Sequence, residues 1–279
     1  MYSSEMIKKN TPLLILVATH KPCALPTESV FLPVHCGRAI SQLNKESYNW
    51  MLEHTTGDDT GVNISKWNPF FSELTAVYWG WKNYKLLGSP DRMGLCHYRR
   101  YFMDIGGVNE ITAPVHYLTK TVKSQFAQNH PAAELERAVD LLENKELQEC
   151  VREYLDQQRG YFFNMFVLPS PIFFEYCEFL FGVLFKLFKT AQWEKLDSYQ
   201  KRMPGFLAER LTGGFFYYLS KKRNITIHET LPIIPIVDSY PIIQRQICCT
   251  SYLAKTVPNF KRVYSHFLSL QTHFNKRIS

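Results

Sequence analysis

Leu13-Leu-Ile-Leu-Val-Ala-Thr19 is a continuous aliphatic run with no polar alternation. A strand exposed on one face alternates apolar with polar residues. An unbroken run therefore predicts a strand buried on both faces, as in a parallel sheet covered by helices. The run ends in Thr19-His20-Lys21-Pro22, a polar turn at the carboxyl end of the strand, where open α/β sheets take their ligands. Val30 to His35 reads as a second short strand.

Working outward, Asn68-Pro69 has the form of an N-cap followed by a first-turn proline. Phe71, Leu74, Tyr78, Trp81 and Lys85 then recur at helical spacing, which predicts one amphipathic helix over 69–86, ended by Gly88-Ser-Pro90. Met93 to Phe102 predicts the next strand, with its polar end at 97–100. The stretch 103–130 reads as loop, 132–158 as one long polar helix, 161–168 as strand, and 169–189 and 205–220 as helices. Short strands follow at 225–227 and 233–237. This alternation predicts an α/β fold, organised as one domain over 11–240 and a basic C-terminal segment over 241–279.

Composition narrows the class. With 46% hydrophobic and 20% charged residues the chain is neither disordered nor low-complexity. Lys and Arg number 32 against 25 Asp and Glu, and no acidic residue follows Asp238, so the excess gathers at the C-terminal end. There Phe260, Val263, Tyr264, Phe267, Leu268, Gln271 and Phe274 follow helical spacing between Lys261, Arg262, Lys276 and Arg277. Such a helix either lies in an anionic lipid interface or docks on the domain. No nucleic-acid-binding motif accompanies the charge, so nucleic acid is not an expected partner. Ile172 to Phe188 is apolar but interrupted by Glu175, Glu178 and Lys186, short of the roughly 20 uncharged residues that a membrane span needs. The run at 13–18 is too short for a signal peptide. Seven cysteines without a C-x-x-C pair read as reduced thiols, hence a cytoplasmic protein.

Four clusters carry candidate chemistry. Gly57-Asp-Asp-Thr-Gly61 with Asn63-Ile-Ser65 sets two carboxylates, an amide and hydroxyls between glycines. It suits a ribose, a sugar hydroxyl or a hydrated cation, or equally a turn closed by its own side chains. His97-Tyr98-Arg99-Arg100 closes a strand, and alternation would place Arg99 and Arg100 on opposite faces. Two guanidiniums beside a buried strand call for an anion such as a diphosphate, or for internal carboxylates such as Glu73 or Glu209. Glu73 sits among the aromatics of the 69–86 helix. Arg202, Glu209 and Arg210 set an acid and bases on an apolar helix, as a general base or as an ion pair fixing that helix to the sheet. The signatures G-x-x-x-x-G-K-[ST], G-x-G-x-x-G, G-x-S-x-G and H-E-x-x-H are missing. So is the spaced acidic pair that holds a metal in many nucleotide-sugar transferases.

In order along the chain stand Ala18-Thr-His-Lys21, Pro33-Val-His35, Gly57-Asp-Asp-Thr-Gly61, Glu73-Leu-Thr-Ala-Val-Tyr-Trp-Gly-Trp-Lys-Asn83, Gly94-Leu-Cys-His-Tyr-Arg-Arg-Tyr-Phe102, Asn164-Met-Phe166 and Gly205-Phe-Leu-Ala-Glu-Arg-Leu211. Together, from residue 13 to 237, they resemble the bacterial family of capsular and exopolysaccharide biosynthesis glycosyltransferases with an HYRRY signature, some of which are galactofuranosyltransferases. The resemblance implies a GT-A-like, Rossmann-type mixed sheet flanked by helices, with a helical C-terminal part. It implies transfer of a sugar from a nucleotide-diphosphate donor, UDP-linked, to a lipid-linked capsule, exopolysaccharide or O-antigen glycan. Ala18, Thr19 and His20 would lie beside the nucleotide, and Asp59 and Asn63 near the ribose or sugar. Lys82, Asn83, His97 and Tyr98 would complete the donor site, with Arg99 and Arg100 on the diphosphate. Glu209 would deprotonate the acceptor hydroxyl or else bind the acceptor as a carboxylate, and Asn164, Met165, Arg202 and Arg210 would hold the acceptor. The resemblance admits a divalent cation, manganese or magnesium, without naming its ligands. The C-terminal charge asymmetry, rather than the resemblance, suggests that the basic segment brings this cytoplasmic protein into peripheral contact with the inner face of the membrane. The other reading is a non-catalytic nucleotide-sugar- or glycan-binding subunit of a polysaccharide assembly complex.

Overall fold

The aliphatic run forms strand β1 (Leu14–Thr19), every residue of it buried. Leu14, Leu16 and Ala18 face the main core, whereas Ile15 and Val17 join a second cluster with Phe31, Cys96, Tyr98 and Val167. Both faces are covered, which is why no polar residue interrupts the run. The computed structural model describes residues 12–190 and 196–233.

Parallel strands β2 (Phe31–His35) and β4 (Arg92–His97) flank β1. After helix α1 (Lys45–His54) the short β3 (Thr56–Gly57) extends the sheet beyond β2. The chain then crosses back through α2 (Asn68–Phe71) and α3 (Leu74–Lys82) to place β4 on the opposite side of β1. The direction of winding reverses between β1 and β4. A crevice opens at such a switch point, here beyond Thr19 and His97.

Past β4 the sheet becomes mixed. β8 (Phe166–Pro169) pairs antiparallel with β4, followed by β6 (Ile111–Tyr117) and β7 (Arg159–Tyr161). β9 (Ile227–Thr230) runs parallel to β6, and β5 (Tyr101–Phe102) pairs with β10 (Pro232–Ile233) in a separate ribbon. Helices α4 (Val122–Phe126), α5 (Ala132–Asp140), α6 (Lys145–Leu155), α7 (Ser170–Thr190) and α8 (Met203–Arg223) complete the fold. α8 packs on α6 and α7, and α7 on α3. Among the described residues no helix is long and apolar enough to cross a membrane.

The structure corrects several expectations. The helix expected over 69–86 is two helices broken at Ser72, whose φ is 49°. Asn68, expected as a cap, lies inside α2 and donates its side-chain amide to the Ser72 carbonyl freed by the break, at 2.8 Å. The strand expected over 93–102 stops at His97. Tyr98 and Arg99 form a two-residue turn closed by reciprocal backbone bonds between His97 and Arg100, so alternation does not part the two arginines. The expected loop at 103–130 contains β6 and α4. Pro114 disguises that strand, because it lies where β6 leaves β8 and takes up β7. The single helix expected over 132–158 divides at Asn144, which caps α6 by accepting from the Leu147 N–H at 3.0 Å. The strand expected over 161–168 is broken by a reversal at Phe163 and Asn164, both at positive φ. The short strand expected at 225–227 begins only at Ile227. Most of the one expected at 233–237, and the whole basic segment 241–279, lie outside the described residues.

Candidate active site

The crevice at the switch point is a cleft of about 750 Å³. β1 contributes Ala18, Thr19 and His20, and the β4 turn contributes His97, Tyr98, Arg99 and Arg100. The α2–α3 break adds Ser72 and Glu73, and the start of α8 adds Arg202, Glu209 and Arg210. The two strand ends are tied together: the Tyr98 N–H donates to the Ala18 carbonyl at 3.1 Å, and the His20 ring meets Tyr98 edge-on at 5.5 Å.

Cationic charge dominates one side. Arg99 lies over Tyr98 at 5.2 Å and Arg100 over Phe163 at 4.2 Å. Arg202 donates through Nε to the Ser72 hydroxyl at 3.2 Å. Among the described residues none of these three is within ion-pair distance of a carboxylate, and the buried Arg100 Nε has no hydrogen-bond partner. The internal neutralisation by Glu73 or Glu209 considered from the sequence does not form. Burial lowers the Arg100 pKa, and the neighbouring Arg99 lowers it further. His20, His116 and His130 are held below their ordinary 6.5, chiefly by burial. They are mainly neutral at pH 7, so the arginines carry the positive field.

Two carboxylates grip the reversal between β7 and β8. Glu209 accepts from the Phe163 N–H at 2.9 Å and from Arg210 at 2.5 Å. Glu73 accepts from the Asn164 side-chain amide at 2.6 Å, and that amide also donates to the Gly205 carbonyl at 3.2 Å. The Phe163 carbonyl meets His97 Nε2 at 2.5 Å. A carbonyl only accepts, so Nε2 carries the proton. Two successive non-glycine residues at positive φ are costly, and these bonds hold them in place.

Glu209 itself is desolvated, which raises its pKa. Arg210 opposes the rise and Glu73 adds to it. Arg210, 3% exposed, is shifted down by burial. Both partners move toward neutrality, so desolvation outweighs their attraction. Glu209 is thus ion-paired to Arg210, bonded to the sheet reversal and open to the cleft.

Other expected site residues lie elsewhere. Asp58 is buried and accepts from the Gly37 N–H at 2.8 Å, the Arg38 N–H at 3.2 Å and the Ser65 hydroxyl at 2.5 Å. Asp59 pairs with Arg38 at 2.5 Å. Asn63 closes a local turn, donating to the Gly61 carbonyl at 3.0 Å and accepting from the Ser65 N–H at 3.2 Å. Asn83 braces the same loop through the Val62 carbonyl at 2.9 Å, and Lys82 sits 3.3 Å over the Trp81 ring. The side chains of the 57–65 loop are therefore spent on one another, on the Gly37–Arg38 turn and on α3, and Asp59, Asn63, Lys82 and Asn83 do not line the cleft. Asn164 and Met165 are buried behind it, supporting the wall.

Several lining residues were not anticipated: His116, Tyr117 and Leu118 at the end of β6, Gln125, Asn129 and His130 around α4, and Tyr199. The apolar alternation of Ile111, Ala113 and Val115 was the available signal for the first group. Among the described residues no group of three His, Cys, Asp or Glu could hold a metal. Asp58 and Asp59 are both already engaged within the protein.

Fold and site define an α/β protein with a cationic crevice at the carboxyl ends of its parallel strands. The chain belongs to the family described as Domain of unknown function DUF4422, whose model matches residues 14–113 and 107–223. It is also similar to a solved structure, the apo form of the WbbM bifunctional glycosyltransferase. That match has 24% identity and a TM-score of 0.64, and covers 82% of this chain and 48% of the other. The chain thus spans about half the length of that protein, and the likeness shows a shared mixed α/β fold. No curated protein matches the sequence.

Proposed function

We propose that this cleft transfers a glycosyl group from a nucleotide-diphosphate sugar to a hydroxyl of a polysaccharide under assembly. The observation that carries the reading is the pairing, in one cleft, of carboxylate-free Arg99 and Arg100 on the switch-point turn with the desolvated carboxylate of Glu209. Similarity to a protein described as a glycosyltransferase supports it. We take the donor as UDP-linked, UDP-galactofuranose being one member of that class, and the acceptor as a lipid-linked capsule, exopolysaccharide or O-antigen glycan. The bond from the sugar anomeric carbon to the diphosphate oxygen breaks. The leaving group gathers negative charge that Arg99 and Arg100 stabilise. The acceptor oxygen forms the new bond and gives its proton to Glu209, whose raised pKa strengthens it as a base. Attack from the face opposite the leaving group inverts the anomeric centre.

The test is acceptor-dependent UDP release from UDP-galactofuranose, UDP-galactose and UDP-glucose in the presence of a lipid-linked glycan acceptor, followed by chromatography. Glu209→Gln is expected to slow release by about 100-fold or more while UDP still binds. Unchanged release in Glu209→Gln would remove the base assignment. One observation favours the non-catalytic binding reading: both Glu209 oxygens are already engaged. Wild-type protein that binds UDP yet releases none from any donor would establish that reading instead.

A further inference from the structure

The cleft has a second wall with different chemistry. Tyr199 lies flat on His130, their rings 5.2 Å apart and 11° from parallel, and both meet Phe206, at 5.2 and 4.4 Å. His130 is 6% exposed whereas Tyr199 is 44% exposed. One face of the tyrosine is therefore covered, and the other is left to the cleft it lines. The stack is held in place by Gln200, whose side chain meets His130 Nδ1 at 3.1 Å and donates to the Asn129 carbonyl at 2.7 Å. Burial keeps the His130 ring mainly neutral at pH 7, so the platform is apolar and uncharged.

Amides border this platform. Asn129 and Gln125 line the same cleft. The Gln125 side-chain oxygen accepts from Arg210, which in turn holds Glu209. A preorganised ring face edged by amides matches a sugar ring, which offers an apolar C–H face with hydroxyls around its rim. It does not match a diphosphate, which seeks guanidinium.

We propose that Tyr199, backed by His130 and Phe206, is the stacking platform for the terminal sugar ring of the acceptor, with Gln125 and Asn129 as partners for its hydroxyls. This rests on the glycosyl-transfer reading and adds to it the site where the acceptor docks. The Gln125–Arg210–Glu209 chain links that sugar to the carboxylate that takes its proton. The nucleobase, by contrast, belongs over the β1 and β4 ends.

Saturation-transfer NMR on UDP-saturated protein tests the platform. The probes are the methyl glycosides of galactose, glucose, mannose and N-acetylglucosamine. Wild type is expected to pass saturation to the ring C–H protons of at least one glycoside. Tyr199→Ala should bind that glycoside about tenfold more weakly, the loss of one aromatic face. Tyr199→Phe should keep it, and UDP stabilisation should be unchanged in both variants. Saturation reaching none of the four glycosides in wild type, or undiminished in Tyr199→Ala, would overturn the proposal. Loss of UDP stabilisation in Tyr199→Ala would reassign the ring to the nucleobase. Wild type that gains no stability from UDP, yet binds a glycoside through Tyr199, would instead sink the donor reading and leave the platform standing.

Discussion

Glu209 carries two demands that pull against each other. Structurally it fixes the Phe163 amide and faces a buried guanidinium, but burial makes its charged form expensive. Its folded pKa is raised above the ordinary 4.5. The folded protein therefore holds this proton more tightly than the unfolded chain does. Glu209 adds stability as pH falls through its folded pKa and withdraws it as pH rises. On the glycosyl-transfer proposal activity runs the other way, because the base must be ionised. The acidic limb of kcat/KM is expected to have its midpoint above 4.5, and as pH falls across that limb this group should raise Tm rather than lower it. Parallel pH profiles of kcat/KM and Tm check this. A midpoint at or below the ordinary glutamate value would contradict it. Arg210 shows the complementary risk, since replacing one member of a buried pair leaves the other uncompensated, at about 3–5 kcal/mol.

At the scale of elements, the packing of α8 on α6 depends on two adjacent glycines. A Cβ at Gly213 would lie 2.0 Å from Tyr154 Oη, and one at Gly214 would lie 2.8 Å from Val151 Cγ2. Tyr154 cannot simply withdraw, because its hydroxyl accepts from the Tyr161 N–H at 3.0 Å and so anchors β7. Alanine is the better helix former by roughly 1 kcal/mol, yet overpacking costs about 1–3 kcal/mol. Gly213→Ala is therefore expected to lower Tm by several degrees in a melt, and an unchanged or raised Tm would show that α6 yields freely. How far each element could be read from the sequence follows the same logic of local against distant causes. β1 was legible because two-sided burial writes itself as an unbroken aliphatic run. The break at Ser72 was hidden, because Phe71 and Leu74 keep helical spacing across it while the Asn68 side chain takes up the Ser72 carbonyl. The reversal at Phe163 and Asn164 has neither glycine nor proline to announce it, and is imposed by Glu209, His97 and Glu73 from other parts of the chain. Arg99, Arg100 and Glu209, which line the cleft, were legible as candidates, since guanidiniums at a strand end and an acid on an apolar helix are local signals. Tyr199 was not, since its partner His130 is 69 positions away.

For the molecule as a whole, topology does most to place function. Winding outward from β1 to β3 and then back to β4 leaves a crevice between the two central parallel strands. The sequence sets its arginine pair on the turn beyond that crevice. The antiparallel half of the sheet, with β6 and β8, supplies the opposing carboxylate and aromatic side chains by carrying α4 and the start of α8 to the same cleft. The 57–65 loop, chemically the richest stretch of sequence, instead spends its polar groups on itself, the Gly37–Arg38 turn and Asn83. The central claim is that the arginines await a nucleoside diphosphate. The measurement that tests it most directly is the thermal stabilisation of wild type and Arg99→Ala by UDP. Arg99 is exposed and has no carboxylate partner among the described residues, so its removal should leave the unliganded Tm unchanged. UDP at about 100 times its Kd should stabilise wild type by about 2.7 kcal/mol, a shift of several degrees, and most of that shift should disappear in Arg99→Ala. A wild type that UDP does not stabilise, or an equal shift in Arg99→Ala, would contradict the account.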